Sequence, residues 1–447
     1  MWIVWALACA GPEPKDTATA PDVDAPPTTE VPETDLPPDE TDPPDTTPPV
    51  DPIATVLGDC GGEFQVPPEF PNQLADGDAL HEVVLTDADA VCNDGTPAVL
   101  YVRAATDPEH AADWVLHLQG GSDCVDYEAC AARYCGDGFY DASKMSSQWT
   151  PEAIAGFGIH TESPESAFAG WNHVMFYYCS SDGWQAQAHG TMTSADGTSS
   201  FTLERRGHQI LEAGFEELEA GGAASGDGAE VLPSILDARL VLFTGTSMGS
   251  VGAQTHLDWL RTRWPESVGL YGVFDAAVAP LPETVPAGPS AIVEEWTRER
   301  HALRVAADDT PAFGDESCLA TVDPADDYVC FNSAQLPYLH VTTPFFVRMD
   351  HFDDPTGANY IAAGATELEF AEAVTASLDL LGALPQGDVF GPACGEHIGL
   401  EASKVFLGQP VMTPGGPLTL HDALVLGAAG VDVTVNDAAY DLSVCGP

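Results

Sequence analysis

A serine flanked by glycines is the first feature of this sequence that suggests chemistry. Residues 245–249 read GTSMG, a G-x-S-x-G pattern with Ser247 at its centre. The apolar run Leu240–Phe243 predicts a buried strand before it, and the apolar spacing over Val251–Trp264 predicts a helix after it. A strand, a sharp turn and a helix are the setting of a nucleophile elbow, in which the serine hydroxyl is exposed. The alternative is a glycine- and serine-rich loop without a catalytic role.

A serine nucleophile requires a base, an acid that orients this base, and N–H groups that stabilise an oxyanion. In the chain order of α/β-hydrolases, the acid and then the base follow the serine. Asp353 follows a predicted strand and His397 lies in a later predicted loop, so we expect them to be the acid and the base. The backbone of Met248 and the turn at residues 120–122, Gly-Gly-Ser, are the expected oxyanion donors.

Other residues of the same types compete for these roles. The alternative acids are Asp275, Asp350 and Asp354, and the alternative bases are His340 and His421. Residue type and chain order favour the first pair without eliminating these alternatives.

The acidic segment after the predicted strand at residues 345–348 has a second interpretation. Asp350, His351, Asp353 and Asp354 follow one another closely, and histidine and carboxylate side chains bind several divalent ions. This pattern would suit a metal-dependent hydrolase or a calcium-binding protein. The serine interpretation requires no metal and no other cofactor, and we expect none.

The charge of the chain argues against one class of partner. Its 447 residues include 70 acidic and 14 basic ones, which give a formal net charge of −56. Such a surface repels phosphate backbones, so we expect no nucleic-acid partner. Apolar residues make up 44% of the chain, which is enough for a substantial core.

The eleven cysteines indicate an exported, disulfide-bonded protein. They do not form the two CxxC pairs that are typical of a structural zinc site. Their spacing suggests two local pairs, Cys124 with Cys130 and Cys318 with Cys330, and a third pair, Cys394 with Cys445, that would hold the C-terminus.

The start of the chain resembles an export signal. Residues 1–10 are apolar, and Ala-Leu-Ala-Cys at residues 6–9 resembles a bacterial lipobox, in which Cys9 becomes lipidated. Residues 11–55 are rich in Pro, Thr and Asp, which predicts a disordered linker. We therefore expect a cell-surface lipoprotein of a bacterial envelope, with a lipid at Cys9 as its only membrane contact. The alternative is a secreted protein with an ordinary signal peptide.

Residues 56–447 are expected to form one catalytic domain of the α/β class. Predicted strands alternate with predicted helices along this region, which indicates a mainly parallel central sheet with helices on both faces. The predicted strands are residues 80–85, 99–102, 114–118, 174–178, 240–243, 268–274 and 345–348, and the predicted helices include residues 207–220, 251–264 and 367–381.

Five sequence blocks, in order, resemble the pectin acetylesterase and Notum family of carboxylesterases. They are WVLHLQGGSDC at 114–124, WNHVMFYYCSSDGW at 171–184, GTSMGSVGA at 245–253, TPFF at 343–346 with Phe352-Asp353, and Pro392-Ala393-Cys394 with His397. The resemblance extends over about residues 56 to 430, which is most of the predicted domain. The block ending in CSSDGW and the order of the whole set are its most specific parts.

The resemblance implies an α/β-hydrolase-like fold and an exported, monomeric serine carboxylesterase. It implies Ser247 as nucleophile, His397 as base and Asp353 as orienting acid. It also implies oxyanion donors at Gly121, Ser122 and Met248. The expected partner is an ester, either an acetylated polysaccharide or another acylated molecule.

The chain departs from the family pattern around the predicted site. Gln119 replaces the usual Glu, Ser122 replaces a common Trp, and Met248 and Ser250 replace smaller residues. These changes affect the expected substrate more than the expected nucleophile, acid and base. A non-catalytic binding module of the same fold, anchored at a surface, is the alternative to an enzyme.

Overall fold

A computed structural model describes residues 80–136, 141–226, 228–308, 310–331 and 335–437, together with Tyr440 and Cys445. The predicted leader with Cys9 and the predicted linker at 11–55 lie outside these residues, so both stay predictions. Of the helices that are described, none has the length and apolar character needed to cross a membrane.

The described strands form one large sheet and two small hairpins. The strands are β1 Leu80–Val84, β2 Val99–Arg103, β3 Asp113–Leu118, β4 Ala153–Ile154, β5 Asn172–Phe176, β6 Ala188–Thr193, β7 Ser200–Arg205, β8 Leu240–Thr246, β9 Gly269–Asp275, β10 Phe345–Arg348, β11 Gly387–Gly391, β12 Pro410–Thr413, β13 Gly416–Thr419 and β14 Thr434–Asn436. The large sheet has the order β14-β11-β10-β9-β8-β3-β5-β2-β1-β4, while β6 pairs with β7 and β12 with β13.

The sheet is mainly parallel, as predicted. Every neighbouring pair from β14 through β5 is parallel, and the pairs that join β5, β2, β1 and β4 are antiparallel. Parallel strands need a crossover connection, which in this region is supplied mostly by helices.

The described helices cover both faces of this sheet. They are α1 Tyr127–Cys135, α2 Gly207–Ala220, α3 Met248–Arg263, α4 Ala287–Ala307, α5 Glu316–Leu319, α6 Leu336–Leu339, α7 Asp354–Ala362, α8 Glu367–Gly382, α9 Ser403–Gly408 and α10 Leu420–Ala428. In β8, Val241 and Phe243 join one buried cluster with residues of α2, α3 and α8, while Leu242 joins another with residues of α9 and α10. This alternation buries both faces, because successive strand side chains point in opposite directions.

The turn between β8 and α3 has the strained geometry of an elbow. Ser247 has φ 55° and ψ −121°, a region that non-glycine residues rarely adopt. A Cβ atom at Gly245 would lie 2.1 Å from the carbonyl oxygen of Gly249, and a Cβ atom at Gly249 would lie 1.9 Å from that of Leu118. The two flanking glycines are therefore required by backbone contacts.

Four disulfide bonds lie within the described residues. The bonds Cys124–Cys130, Cys318–Cys330 and Cys394–Cys445 confirm the three predicted pairs. Sequence spacing did not suggest the fourth, Cys92–Cys179, which joins residues 87 positions apart.

We expect Gly249→Ala to lower the free energy of unfolding by about 2 kcal/mol or more, because the Leu118 carbonyl group cannot move without shifting β3. Gly288→Ala, in the first turn of α4, is the matched control because no atom lies within 4 Å of its Cβ position. Alanine also favours a helix over glycine. Thermal unfolding should show a lower melting temperature for the first variant only, and equal values would contradict the elbow geometry.

Candidate active site

Ser247, His397 and Asp353 form one hydrogen-bonded chain. Their segments follow the carboxyl ends of β8, β11 and β10, which meet at the same edge of the sheet. The Oγ of Ser247 lies 2.9 Å from Nε2 of His397, and Nδ1 of His397 lies 2.8 Å from Oδ2 of Asp353. A proton on Nδ1 is held by the carboxylate, so Nε2 is left to accept the serine proton. This arrangement can convert the hydroxyl into a nucleophile.

The environment of His397 makes its imidazole a stronger base. Burial alone would lower the pKa of His397, but the hydrogen bond and the negative charge of Asp353 outweigh this effect and raise the pKa above its usual 6.5. The Asp353 side chain is fully buried, whereas His397 keeps 23% of its side chain exposed. The base is thus accessible from the cavity while its acid partner is shielded from water.

Asp353 is held in place by the helix that follows it. It is the N-cap residue of α7, and its Oδ1 accepts a hydrogen bond from the Thr356 backbone N–H at 2.8 Å. One carboxylate oxygen therefore caps the helix while the other contacts the histidine. Asp354, an alternative acid in the sequence analysis, is the first residue of the same helix.

The rival acid Asp275 holds the loop that carries His397. Its Oδ2 accepts hydrogen bonds from the backbone N–H groups of Gly399 at 2.9 Å and Leu400 at 2.8 Å. Its backbone carbonyl also accepts the N–H of Ser247 at 2.9 Å. Asp275 therefore binds the backbone of Ser247 and the backbone of the loop that follows His397.

The rival acid Asp350 acts on the same loop from its other end. Its Oδ2 accepts the backbone N–H of Glu396 at 2.7 Å. Arg348 forms ion pairs with both carboxylates: its Nη1 lies 3.0 Å from Asp275 and its Nη2 lies 2.6 Å from Asp350. All three side chains are fully buried. Burial raises the pKa of Asp350 to about 7 in spite of the opposing charge of Arg348.

The remaining alternatives have partners away from Ser247. His421 Nε2 accepts the backbone N–H of Ala167 at 2.9 Å, and His340 is the C-cap residue of α6. His351 Nε2 lies 2.7 Å from Oδ1 of Asn436. Because Asp350 and Asp353 have the partners given above, the four residues of the metal interpretation do not converge, and the described residues contain no group of three or more such side chains that could hold a metal ion.

Three backbone N–H groups lie near the serine without an acceptor. Those of Gly121, Ser122 and Met248 donate to no other residue in the part of the chain that is described. These residues line the same cavity as Ser247 and His397, and Ser122 has φ 57°. Unused N–H groups beside a nucleophile can stabilise an oxyanion.

The block at residues 171–184 supports the turn at residues 120–122. Nε1 of Trp184 donates to the Gln119 carbonyl oxygen at 3.3 Å, and Gln119 Oε1 accepts the Tyr178 N–H at 3.2 Å. Asp182 accepts hydrogen bonds from the Trp184 N–H at 2.9 Å and the Gly207 N–H at 2.8 Å. Gln119 accepts the hydrogen bond from the Tyr178 N–H with a side-chain oxygen, as the family's usual Glu could. The replacement therefore preserves this support of the turn.

The cavity beside Ser247 has a volume of about 1140 Å³. One part of its wall is apolar and includes Val251, Val293, Phe331 and Tyr360. Another part is basic and includes Arg133, Lys144, Arg300 and Arg304, four of the fourteen Lys and Arg residues of the protein. Met248 also lines the cavity, and its terminal methyl group packs over Gly183.

Sequence reasoning missed two charged residues at this site. Glu401 Oε1 accepts the Gly120 N–H at 2.9 Å, and Lys144 Nζ donates to the Gly120 carbonyl at 3.3 Å. Neither belongs to a motif. The available signals were that Lys144 is one of only three lysines and that Glu401 lies four residues after His397.

Comparison with known proteins gives a consistent result. Residues 75–382 match the family model for pectinacetylesterases. The chain is 27% identical over 343 residues to palmitoleoyl-protein carboxylesterase Notum of Drosophila melanogaster, covering 71% of this chain and 44% of that protein. It is 28% identical over 164 residues to pectin acetylesterase 4 of Arabidopsis thaliana, covering 36% of this chain and 34% of that one. The matched regions therefore span less than half the length of these relatives.

The fold is similar to the solved structure of the Wnt deacylase Notum from Drosophila. The TM-score is 0.63 with 22% sequence identity, and the match covers 83% of this chain and all of that one. The predicted α/β-hydrolase-like fold is thereby confirmed.

We expect Arg348→Met to lower the free energy of unfolding by about 3–5 kcal/mol, because it leaves two buried carboxylates without their counter-ion. Arg298→Met is the control, since Arg298 is 42% exposed and pairs with Glu294 and Asp326 at the surface. Such surface pairs contribute about 0–1 kcal/mol. Urea denaturation should separate the two variants, and equal midpoints would contradict a stabilising role for Arg348.

Proposed function

The chain belongs to the pectinacetylesterase family, and we propose that it is an exported serine carboxylesterase. The proposal rests chiefly on the hydrogen-bonded chain from Ser247 through His397 to Asp353, with Oγ 2.9 Å from Nε2 and Nδ1 2.8 Å from Oδ2. The two relatives compared above, one named a carboxylesterase and the other an acetylesterase, support an ester as the substrate.

In the proposed reaction, His397 takes the proton of Ser247 as Oγ attacks the ester carbonyl carbon. The carbonyl oxygen becomes an oxyanion, which accepts hydrogen bonds from the N–H groups of Gly121, Ser122 and Met248. His397 then gives its proton to the leaving alcohol, and an acyl-enzyme remains. Water, activated by the same histidine, releases the carboxylic acid and restores the serine.

The substrate is proposed to be an acylated alcohol whose acyl group lies in the cavity. The apolar part of the wall suits the acyl chain, and the cavity is large for an acetyl group alone. Ser122, where the family commonly has Trp, leaves the backbone donor in place and takes up less of the cavity. The chain length of the acyl group is therefore the property in which we expect this protein to differ from relatives with Trp.

Export is supported by the disulfide bonds of the described residues, because such bonds persist in oxidising compartments. Lipidation at Cys9, anchoring to an envelope membrane and a monomeric state remain part of the proposal. A non-catalytic binding module is less consistent with an intact nucleophile, base and acid.

We expect Ser247→Ala to abolish hydrolysis of a short-chain nitrophenyl ester, because it removes the hydroxyl that contacts Nε2 of His397. Ser250→Ala, one turn further along in α3, is the matched control and should keep its activity. Hydrolysis should be measured together with labelling by a fluorophosphonate probe, which reacts with activated serines.

Wild-type protein that is labelled at Ser247 and hydrolyses the ester would support the enzyme. Full activity in the Ser247→Ala variant would instead refute the assigned nucleophile. Activity that is lost on chelation and kept in this variant would favour a metal-dependent hydrolase.

The activity should fall as the pH is lowered through the raised pKa of His397, because only the neutral imidazole accepts the serine proton. We expect Asp353→Asn to shift this acidic limb to lower pH, since the groups that raise the pKa are lost. It should also lower kcat by about 10³–10⁴-fold through loss of the correct tautomer. Asp354→Asn is the matched control, and equal pH profiles of kcat/KM for both variants would contradict the role of Asp353.

A further inference from the structure

We propose that Lys144 is a positioning residue that fixes the peptide group supplying one of the oxyanion donors. This inference rests on the proposed esterase function. Lys144 ends a short 3₁₀ helix at Ala142–Lys144 and contacts the turn at residues 120–122, here called the oxyanion turn. Its Nζ donates to the carbonyl oxygen of Gly120 at 3.3 Å. That carbonyl and the N–H of Gly121 belong to one peptide group, which is planar, so holding the oxygen orients the N–H.

The same turn is also held from its other side. The N–H of Gly120 donates to Oε1 of Glu401 at 2.9 Å, and this oxygen lies 3.2 Å from Nε2 of His117. His117 is anchored in turn by Thr244, with Nδ1 2.7 Å from Oγ1. A cation and an anion therefore hold the C=O and the N–H of a single residue.

The turn needs such support because its backbone is strained. Ser122 has φ 57°, in the left-handed region. A Cβ atom at Gly120 would lie 2.5 Å from the Thr246 carbonyl oxygen, so the turn also passes very close to the elbow. The Cδ of Lys144 lies 3.3 Å from the position of a Cβ atom at Gly121, which places the lysine stem against the turn.

The charge of Lys144 contributes beyond geometry. An ammonium group that donates to the Gly120 oxygen polarises the peptide and makes the Gly121 N–H a better donor. Charge-assisted bonds are also roughly twice as strong as neutral ones.

The charge of Lys144 depends on pH within a measurable range. Desolvation by the surrounding wall lowers the pKa of the Lys144 ammonium to about 8. The charges of Glu401 and Asp141 act to raise this pKa and that of Arg133 to lower it, while the Tyr177 ring lies 5.7 Å away. The polarising charge is therefore lost as the pH rises above about 8.

The test compares Lys144→Met, Lys144→Arg and Lys404→Met in ester hydrolysis. We expect the first variant to lower kcat by about 10- to 100-fold with little change in KM, since losing an oxyanion donor outright costs about 10²–10³-fold. The arginine variant should keep most of the activity. Lys404 is exposed in α9 and is the other lysine among the described residues, so its variant should match the wild type.

The pH profile and an oxyanion analogue distinguish positioning from general stability. Wild-type kcat should fall above about pH 8, this limb should move to higher pH in Lys144→Arg, and it should be absent in Lys144→Met. An alkyl boronic acid, which forms a tetrahedral adduct with the serine, should bind Lys144→Met more weakly by the same factor as kcat.

Three results would overturn this inference. They are wild-type kcat in Lys144→Met, unchanged boronate affinity in that variant, or an alkaline limb that stays near pH 8 in Lys144→Arg. The last measurement remains decisive if the methionine variant fails to fold. If one of these results occurs while Ser247→Ala is inactive, only the role of Lys144 is refuted and the proposed esterase function stands. An inactive wild type would refute the proposed function itself.

Discussion

The site depends on one buried residue, Asp275, which connects the turn that carries Ser247 to the loop that carries His397. The backbone carbonyl of Asp275 accepts the N–H of Ser247, and its carboxylate accepts the N–H groups of Gly399 and Leu400 in the histidine loop. The backbone at Ser247 and the backbone after His397 both bind Asp275. This shared partner fixes the distance between Oγ of Ser247 and Nε2 of His397. A fully buried carboxylate is costly without a counter-ion, and Arg348 supplies it. The ion pair thus allows a rigid polar connection between strands whose side chains otherwise form an apolar core.

Charged side chains of both signs line the cavity of this acidic protein. The chain carries a formal charge of −56, yet the cavity wall includes four of its fourteen basic residues. Asp123 pairs with two of them, Arg300 and Arg304, and their charges lower its pKa to about 2 although burial opposes this. Glu396 and Glu401 line the same cavity, so its four Lys and Arg side chains lie beside three carboxylates. Attraction between such groups is stronger where bulk water is excluded.

Those parts of the fold and of the site that are marked by a pattern of neighbouring residues could be predicted from the sequence. Strands β8 and β10, helix α2 and the glycines around Ser247 follow from apolar periodicity and from backbone crowding. The roles of Asp275 and Glu401 could not be predicted, because a carboxylate in a sequence does not show whether it faces a histidine or a backbone N–H. Glu401 bonds to a residue 281 positions away. Such contacts depend on how the strands are ordered in the sheet, which residue periodicity does not specify.

The sequence block that most specifically resembles the family contributes none of the three groups in the hydrogen-bonded chain. Within it, Cys179 forms a disulfide bond with Cys92, and Trp184 donates to Gln119 at the start of the oxyanion turn. The block therefore holds the backbone before the turn at residues 120–122, and in the proposed reaction any ester substrate would need this support. The departures from the family pattern at Ser122 and Met248 instead change cavity-lining side chains and leave their backbone N–H groups available. In the proposed esterase, the oxyanion would contact the backbone of these residues and the acyl group would contact their side chains, so the side chains could change without altering the reaction.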